Sequence, residues 1–184
     1  MSYLIQQLTD SWREMKRLKV LAVTAMLIAL GVILGFFFSI QLTDYIRIGF
    51  SSIPNQLTAL FFGPVVGGFM GGITDILKFI VKPTGPFFPG YTLNAMLGPV
   101  IYGFFFYHRP VTFRRILAAH IVVAVIVNLL LGTLWLSMMY GQAFMVLMPA
   151  RAIKQVFSVP VDSLVFYMVA KSLEKARVVQ SVAA

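Results

Sequence analysis

Ionisable side chains follow one face of an otherwise apolar segment near the middle of the chain. Asp75, Lys78 and Lys82 are spaced by three and four residues, which places them on one side of a helix. A charge deep in an apolar membrane helix costs roughly 2.5–3.5 kcal/mol on insertion scales, so it needs a partner, water or a function. The spacing therefore predicts either an Asp75–Lys78 ion pair or a site for an anionic ligand.

A second polar stripe lies on the last apolar segment. Helical spacing places four polar residues on one face: Arg151, Gln155, Ser158 and Asp162. Lys154 lies beside this face. Such a stripe must face protein or water, so it indicates either hydrogen bonds between helices or a shared polar cavity. Because two segments carry ionisable groups, we favour the cavity.

A loop rich in proline and aromatic residues separates these segments. It reads Lys82-Pro83-Thr84-Gly85-Pro86-Phe87-Phe88-Pro89-Gly90-Tyr91, and its three prolines fix several backbone angles. Phe87, Phe88 and Tyr91 suit stacking on a flat ligand, although an aromatic belt at a membrane interface has the same composition. Asn94 follows and offers both a hydrogen-bond donor and an acceptor.

The sequence lacks the residue patterns by which common catalytic and metal sites are recognised. Cysteine is absent, and the two histidines, His108 and His120, have no ligand-like neighbours at metal-site spacing. The chain also lacks a Walker A loop, a Gly-x-Ser-x-Gly elbow and a His-Glu-x-x-His motif. We therefore expect neither an enzyme nor a bound metal or cofactor.

The elements that hold these residues must be membrane helices. Of the 184 residues, 59% are hydrophobic and 11% are charged, whereas soluble domains are about 45–50% apolar and about 25% charged. Apolar segments long enough to span a bilayer are found at residues 20–40, 91–107, 116–140 and 152–170.

The stretch from residue 57 to residue 81 decides the number of spans. Read as one span, it would place Arg109, Arg114 and Arg115 on the side opposite the basic N-terminal segment, against the positive-inside rule. A break at Gly63-Pro64 gives short helices at about 48–62 and 65–81 instead, because proline removes a backbone donor and disfavours helix at the preceding residue. The fold class predicted is an all-α membrane protein with six transmembrane helices and both termini in the cytoplasm.

This topology also defines the segments and explains the charge. Residues 1–19 form a cytoplasmic amphipathic segment, 20–171 the six-helix domain that binds substrate, and 172–184 a cytoplasmic tail. The formal net charge of +9 then reflects the positive-inside rule, so no nucleic-acid partner is expected. Arg47, Lys78, Lys82, Arg151 and Lys154 lie toward the outer face, where an anionic ligand would explain them.

Several stretches resemble the substrate-binding S-components of energy-coupling factor (ECF) transporters, and most closely the folate-specific branch. They are Ile46-Arg47-Ile48-Gly49-Phe50-Ser51-Ser52-Ile53-Pro54, Gly63-Pro64-Val65-Val66-Gly67-Gly68, Thr74-Asp75 and above all the loop Lys82–Leu93 with its Pro-Thr-Gly-Pro-Phe-Phe-Pro-Gly run. The resemblance extends from Val20 to Lys171.

The resemblance implies a subunit of a bacterial plasma membrane that captures a vitamin from outside and passes it to partner subunits. Those partners are one transmembrane scaffold and two ATPase subunits, which hydrolyse the ATP. The family's Ala-x-x-x-Ala motif for scaffold contact matches Ala25 and Ala29, with Ala22 on the same face of the first helix.

Folate also suits the polar and aromatic side chains. Asp75 or Asp162 suits the pterin amino group, and the loop aromatics suit its rings. Its glutamate carboxylates suit the basic residues. The ligand-binding residues predicted are Arg47, Asp75, Lys78, Lys82, Thr84, Phe87, Phe88, Tyr91, Asn94, Arg151, Lys154 and Gln155. The alternatives are an S-component for another vitamin or anionic small molecule, and a membrane assembly subunit that binds no ligand.

Overall fold

The computed structural model describes residues 2–37, 39–43, 46–49, 51–83, 86–141 and 143–176, and all their side chains except those of residues 2, 3 and 39–49. Thr84 and the side chain of Arg47 lie outside this part.

The N-terminal segment forms a helix of its own before the first long apolar helix. Helix α1 spans Ser2–Glu14 and α2 spans Leu18–Phe37. The strands β1 (Ser39–Thr43) and β2 (Ile46–Gly49) then pair antiparallel. The first apolar helix was expected to reach residue 40 and the second to begin near residue 48. The hairpin occupies those positions, and it adds a short sheet to the helical fold.

Helix α3 spans Ser52–Val81 and is broken at the predicted position. Gly63 has φ 85° and ψ −172°, a conformation that side-chain-bearing residues rarely adopt, and Pro64 follows it. The two halves of α3 run back against each other, since the Thr58 hydroxyl lies 2.7 Å from the Met70 sulfur. The break at Gly63-Pro64 is thus confirmed.

Helix α4 spans Pro89–Phe106 and packs along the second half of α3. Proline at its first position is favourable because its missing N–H would have no helical partner there. The glycines at 67, 68, 71 and 72 permit this approach. A Cβ atom on Gly71, for example, would overlap the carbonyl of Ala95. The glycine pairs therefore serve packing within the bundle.

The next helical rod, a continuous helical segment over residues 113–140, is not a uniform α-helix. Helix α5 spans Phe113–Val123, a π-helical segment spans Ala124–Leu131, and α6 spans Gly132–Tyr140. Helix α7, Phe144–Lys175, extends further in both directions than the apolar run at 152–170.

The helical membrane fold is confirmed. Four helices are long and apolar enough to cross a membrane: Leu18–Phe37, Ser52–Val81, Phe113–Tyr140 and Phe144–Lys175. When α3 is counted as two halves and α4 is included, the described chain contains the six rods that the sequence predicts. The cytoplasmic position of the termini stays a prediction.

The bundle has two distinct ends. At one end, α1 lies beside the α3 break and the end of α4, where the Ser11 side chain is 2.9 Å from the position a Cβ on Gly63 would take. We call this the α1 end. At the opposite end, which we call the loop end, α3 finishes, α4 begins and α6 gives way to α7.

Candidate ligand-binding site

A cluster of aromatic and polar side chains lies near the loop end, between α4, the π segment, α6 and α7. The Phe88 ring lies 6.1 Å from the Tyr91 ring and 5.7 Å from the Trp135 ring, between ring centroids. Phe88 and Tyr91 were predicted as site residues. Trp135 was not, because a tryptophan within an apolar span gives no signal of its own.

Asn94 connects this aromatic group to the π segment. Its side-chain oxygen accepts a hydrogen bond from Nε1 of Trp135 at 3.1 Å, and its nitrogen donates to the Val127 carbonyl at 3.1 Å. A side-chain amide has two donor hydrogens and two acceptor lone pairs, so one of each is still available. The amide is held in a defined orientation and can still bind a ligand.

Arg151 reaches the same π segment from α7. Its Nη2 donates to the Asn128 carbonyl at 3.0 Å. The guanidinium lies against the backbone of Gly132, where a Cβ atom would be only 2.7 Å from Nη2. The π segment therefore presents neighbouring carbonyls to Asn94 and Arg151, and glycine leaves room for the guanidinium. π-helical turns inside α-helices frequently occur at functional sites.

Arg151 is a half-buried cation without a carboxylate partner among the described residues. The ion pairs of this part of the chain, Glu14–Arg17 and Lys171–Glu174, both lie at exposed positions toward the α1 end. Of the five N–H donors of the guanidinium, the contact to Asn128 uses one. The site thus provides positive charge and directed donors for an anionic group.

Lys154 and Gln155 continue this side of α7 one turn beyond Arg151. Both side chains are half-buried, whereas Asp162 further along the stripe is exposed. Lys154 and Gln155 therefore lie beside the cluster, one helical turn from Arg151.

Asp75 and Lys78 lie on α3, which contacts the face of α4 that carries Ala95 and Pro99, whereas the π segment contacts Asn94. The Asp75 carboxylate accepts a hydrogen bond from the Thr92 hydroxyl at 2.9 Å, which joins α3 to α4. The Lys78 side chain runs along α2, close to Gly35. The Asp75–Lys78 ion pair, one of the two alternatives that the spacing left open, is not found within the described structure. Thr92, a polar residue at the start of an apolar helix, was missed as the partner.

Two residues of the proline-rich loop region also point toward α2 and α3. The Lys82 ammonium lies 5.3 Å from the ring centroid of Phe36. The Phe87 ring is 5.1 Å from that of Phe79. The structure therefore brings Phe88, Tyr91, Asn94 and Arg151 together, whereas Asp75, Lys78, Lys82 and Phe87 form a second set, whose contacts are with α2, α3 and α4.

The three alanines predicted for scaffold contact are placed outside both groups. Ala22, Ala25 and Ala29 are exposed on α2, whereas Gly31 and Gly35 are buried against α3. The alanine face is accessible to another helix and lies apart from the residues around Arg151.

Comparison with known proteins gives consistent results. Residues 19–170 match the model of the family described as ECF transporter, substrate-specific component. A protein of Clostridium novyi (strain NT) named "Folate transporter FolT" is 38% identical over 169 residues, which are 92% of this chain and 98% of that protein. A protein of the same name from Leuconostoc mesenteroides subsp. mesenteroides is 29% identical over 126 residues, 65% of this chain and 68% of its own.

A solved structure is similar over most of the chain. It is described as "Crystal structure of FolT bound with folic acid" and superimposes with a TM-score of 0.79 at 34% sequence identity. The match covers 85% of this chain and 95% of the other.

Proposed function

Since the chain belongs to the substrate-specific components of ECF transporters, we propose that it is the subunit that binds folate for such a transporter. It is a multi-pass membrane protein that captures folate at the loop end. The relatives named FolT and the folic-acid-bound structure that resembles it support this ligand. Delivery then depends on a transmembrane scaffold and two ATPase subunits, which supply the ATP hydrolysis.

The observation that carries the proposal is the half-buried Arg151 beside an oriented amide and three aromatic rings. Folate combines a flat pterin with hydrogen-bonding edges, an aromatic ring and a glutamate with two carboxylates. Phe88, Tyr91 and Trp135 provide ring surfaces, and Asn94 provides a free donor and acceptor. Arg151 provides donors to a carboxylate, with Lys154 and Gln155 one turn away.

The second set, around Asp75, takes a positioning role in this proposal. Its hydrogen bond to Thr92 fixes α3 against the N-terminal part of α4, which carries Tyr91 and Asn94. Lys82 and Phe87 belong to the proline-rich loop and hold it against α2 and α3. Arg47 and Thr84 remain sequence-based candidates for the outer rim of the site.

Calorimetry on the purified subunit, without partner subunits, tests the proposal. We expect folate to bind, while riboflavin, thiamine and pantothenate do not. Heat from another vitamin alone would assign a different specificity, and no heat from any of them would favour an assembly subunit.

The two tryptophans provide a local test, because Trp135 lies in the site and Trp12 lies on α1 at the opposite end. Folate should quench the fluorescence of the Trp12→Phe variant, in which Trp135 remains. It should leave the emission of Trp135→Phe nearly unchanged. Equal quenching of the two variants would place the ligand elsewhere.

A further inference from the structure

Helix α1 shows a reversed distribution of polar and apolar side chains. Gln7 and Ser11 are turned inward, with only 4% and 0% of their surface exposed. The large apolar residues on its outer side are much more accessible: Leu4 48%, Ile5 58%, Leu8 38% and Trp12 51%. A helix on a water-soluble surface buries its apolar face instead. The outer side of α1 therefore faces an apolar medium.

The inward face of α1 is fastened to the bundle through backbone groups. Gln7 Nε2 donates to the Tyr107 carbonyl at 3.0 Å, just after the end of α4. The Ser11 hydroxyl donates to the Phe62 carbonyl at 2.6 Å and accepts from the Val65 and Val66 N–H groups at 3.1 and 3.3 Å. Successive turns of α1 thus touch the end of α4 and the break in α3, so the helix lies across the end of the bundle.

Length excludes a span for α1. Its 13 residues make a helix about 20 Å long, against a hydrocarbon core of about 30 Å. Its third side carries polar residues such as Gln6, Thr9 and Arg13, which are exposed. A helix with one side on protein, one apolar and one polar is suited to the membrane–water interface.

Charge indicates the kind of lipid. Trp12 is followed at once by Arg13 and, in the turn after α1, by Lys16, and all three side chains are exposed. The N-terminal segment carries four basic residues against Asp10 and Glu14, and Glu14 pairs with Arg17. Tryptophan prefers the headgroup region, and basic residues beside it attract anionic headgroups.

We propose that α1 is an interfacial helix whose Leu4, Ile5, Leu8 and Trp12 face enters the lipid while Arg13 and Lys16 bind anionic headgroups. Because Ser11 connects the same helix to the α3 break, this contact ties the α1 end of the bundle to the membrane surface. The occupant of the apolar face is lipid, and not a scaffold subunit.

Spin labels on adjacent residues of α1 test this directly, because the chain contains no cysteine. Leu8→Cys places a label on the apolar side, and Thr9→Cys is the matched control on the polar side. The full-length subunit is reconstituted without partners in vesicles of phosphatidylcholine with phosphatidylglycerol. We expect the ratio of oxygen to nickel-chelate collisions to be severalfold higher at position 8 than at position 9. Thermal unfolding of each variant checks that it is folded.

The lipid charge is tested by Arg13→Gln combined with Lys16→Gln in the Leu8→Cys background. Each charge removed should lower the ratio of lipid-inserted to water-exposed α1 about fivefold in anionic vesicles. In pure phosphatidylcholine the same substitutions should have little effect. Equal effects in both lipids would overturn the assignment of anionic headgroups.

Two results would overturn the apolar contact itself. One is water-like collision ratios at both labelled positions. The other is shielding of position 8 only after a scaffold subunit has been added, which would assign the face to protein.

Discussion

Placing a methyl group at Gly132 should displace the Arg151 guanidinium and weaken ligand binding. The φ and ψ angles of Gly132 are −63° and −34°, so alanine fits the backbone. Its Cβ, however, would lie 2.7 Å from Nη2 of Arg151 and 3.2 Å from the Val127 carbonyl. Ordinary contacts are about 3.5 Å, so the guanidinium must move by roughly 0.8 Å and its hydrogen bond to Asn128 is lost.

Stability and affinity should change for different reasons. Alanine is favoured over glycine inside a helix by about 0.8–1.0 kcal/mol, but the lost hydrogen bond of Arg151 to Asn128 lies within the protein, and a hydrogen bond to a charged group contributes about 1.5–3 kcal/mol. The free energy of unfolding should therefore fall by about 0.5–2 kcal/mol. The displaced guanidinium should also lose its hydrogen bond to the folate carboxylate, which contributes about 1.5–3 kcal/mol, so folate affinity should fall about ten- to a hundredfold.

The assay is calorimetric titration of folate together with thermal unfolding of the same preparation. Gly98→Ala is the matched control, because its Cβ would meet only Val123 at 4.0 Å and should leave affinity unchanged. In a double-mutant cycle, Gly132→Ala should add no further loss to Arg151→Ala. Unchanged affinity in Gly132→Ala, or additive losses in the cycle, would refute the role given to the position of the guanidinium.

Three further predictions concern other parts of the molecule. Ser11→Ala removes the hydroxyl that serves three backbone groups at the α3 break, so the free energy of unfolding should fall by about 1–3 kcal/mol in thermal melts. Ala25→Leu with Ala29→Leu should abolish co-purification with the scaffold and ATP-driven uptake, while folate binding by the isolated subunit is kept. Ser2→Cys should resist an impermeant thiol reagent on whole cells, and Thr84→Cys should react with it.

Each of these has a contrary result. Thr9→Ala, which removes an exposed hydroxyl of the same helix, is the control for Ser11→Ala, and equal losses would contradict the specific role of Ser11. Normal uptake by the variant that carries Ala25→Leu and Ala29→Leu would contradict the assignment of this face to scaffold contact. Labelling of Ser2→Cys without Thr84→Cys would reverse the topology.

The sequence predicted those features whose cause is local. The α3 break follows from a proline preceded by a glycine, and polar residues such as Asn94 and Arg151 are conspicuous in apolar helices. The sequence could not predict which hydroxyl forms hydrogen bonds with the backbone groups at this break. Ser11 is more than fifty residues away in sequence, and nothing in its surroundings distinguishes it from an exposed serine.

The composition of the cluster was only partly predictable for a similar reason. The run Ala124–Leu131 is aliphatic apart from Asn128 and contains neither proline nor glycine, so nothing in it marks a π-helical segment. Asp75 was grouped with Lys78 because helical spacing reveals neighbours on the same helix only. Its partner Thr92 belongs to another helix, and that contact depends on how α3 packs against α4.

The π segment sets the angle, about the helix axis, between the side chains of α5 that face the core and the side chains of α6 that face the cluster. Each π-helical residue turns the chain less than an α-helical residue does. Over Ala124–Leu131, the lag amounts to about one residue, on the order of 100°. Below it, Ile116, Ala119 and Val123 face the hydrophobic core, and above it, Trp135 faces Asn94. Deleting one residue of the segment would keep the core face but turn Trp135 away from Asn94. Adding or removing a residue in the π segment therefore changes which neighbours the upper half of this helical rod contacts. During evolution, such a change needs no repacking of the lower half.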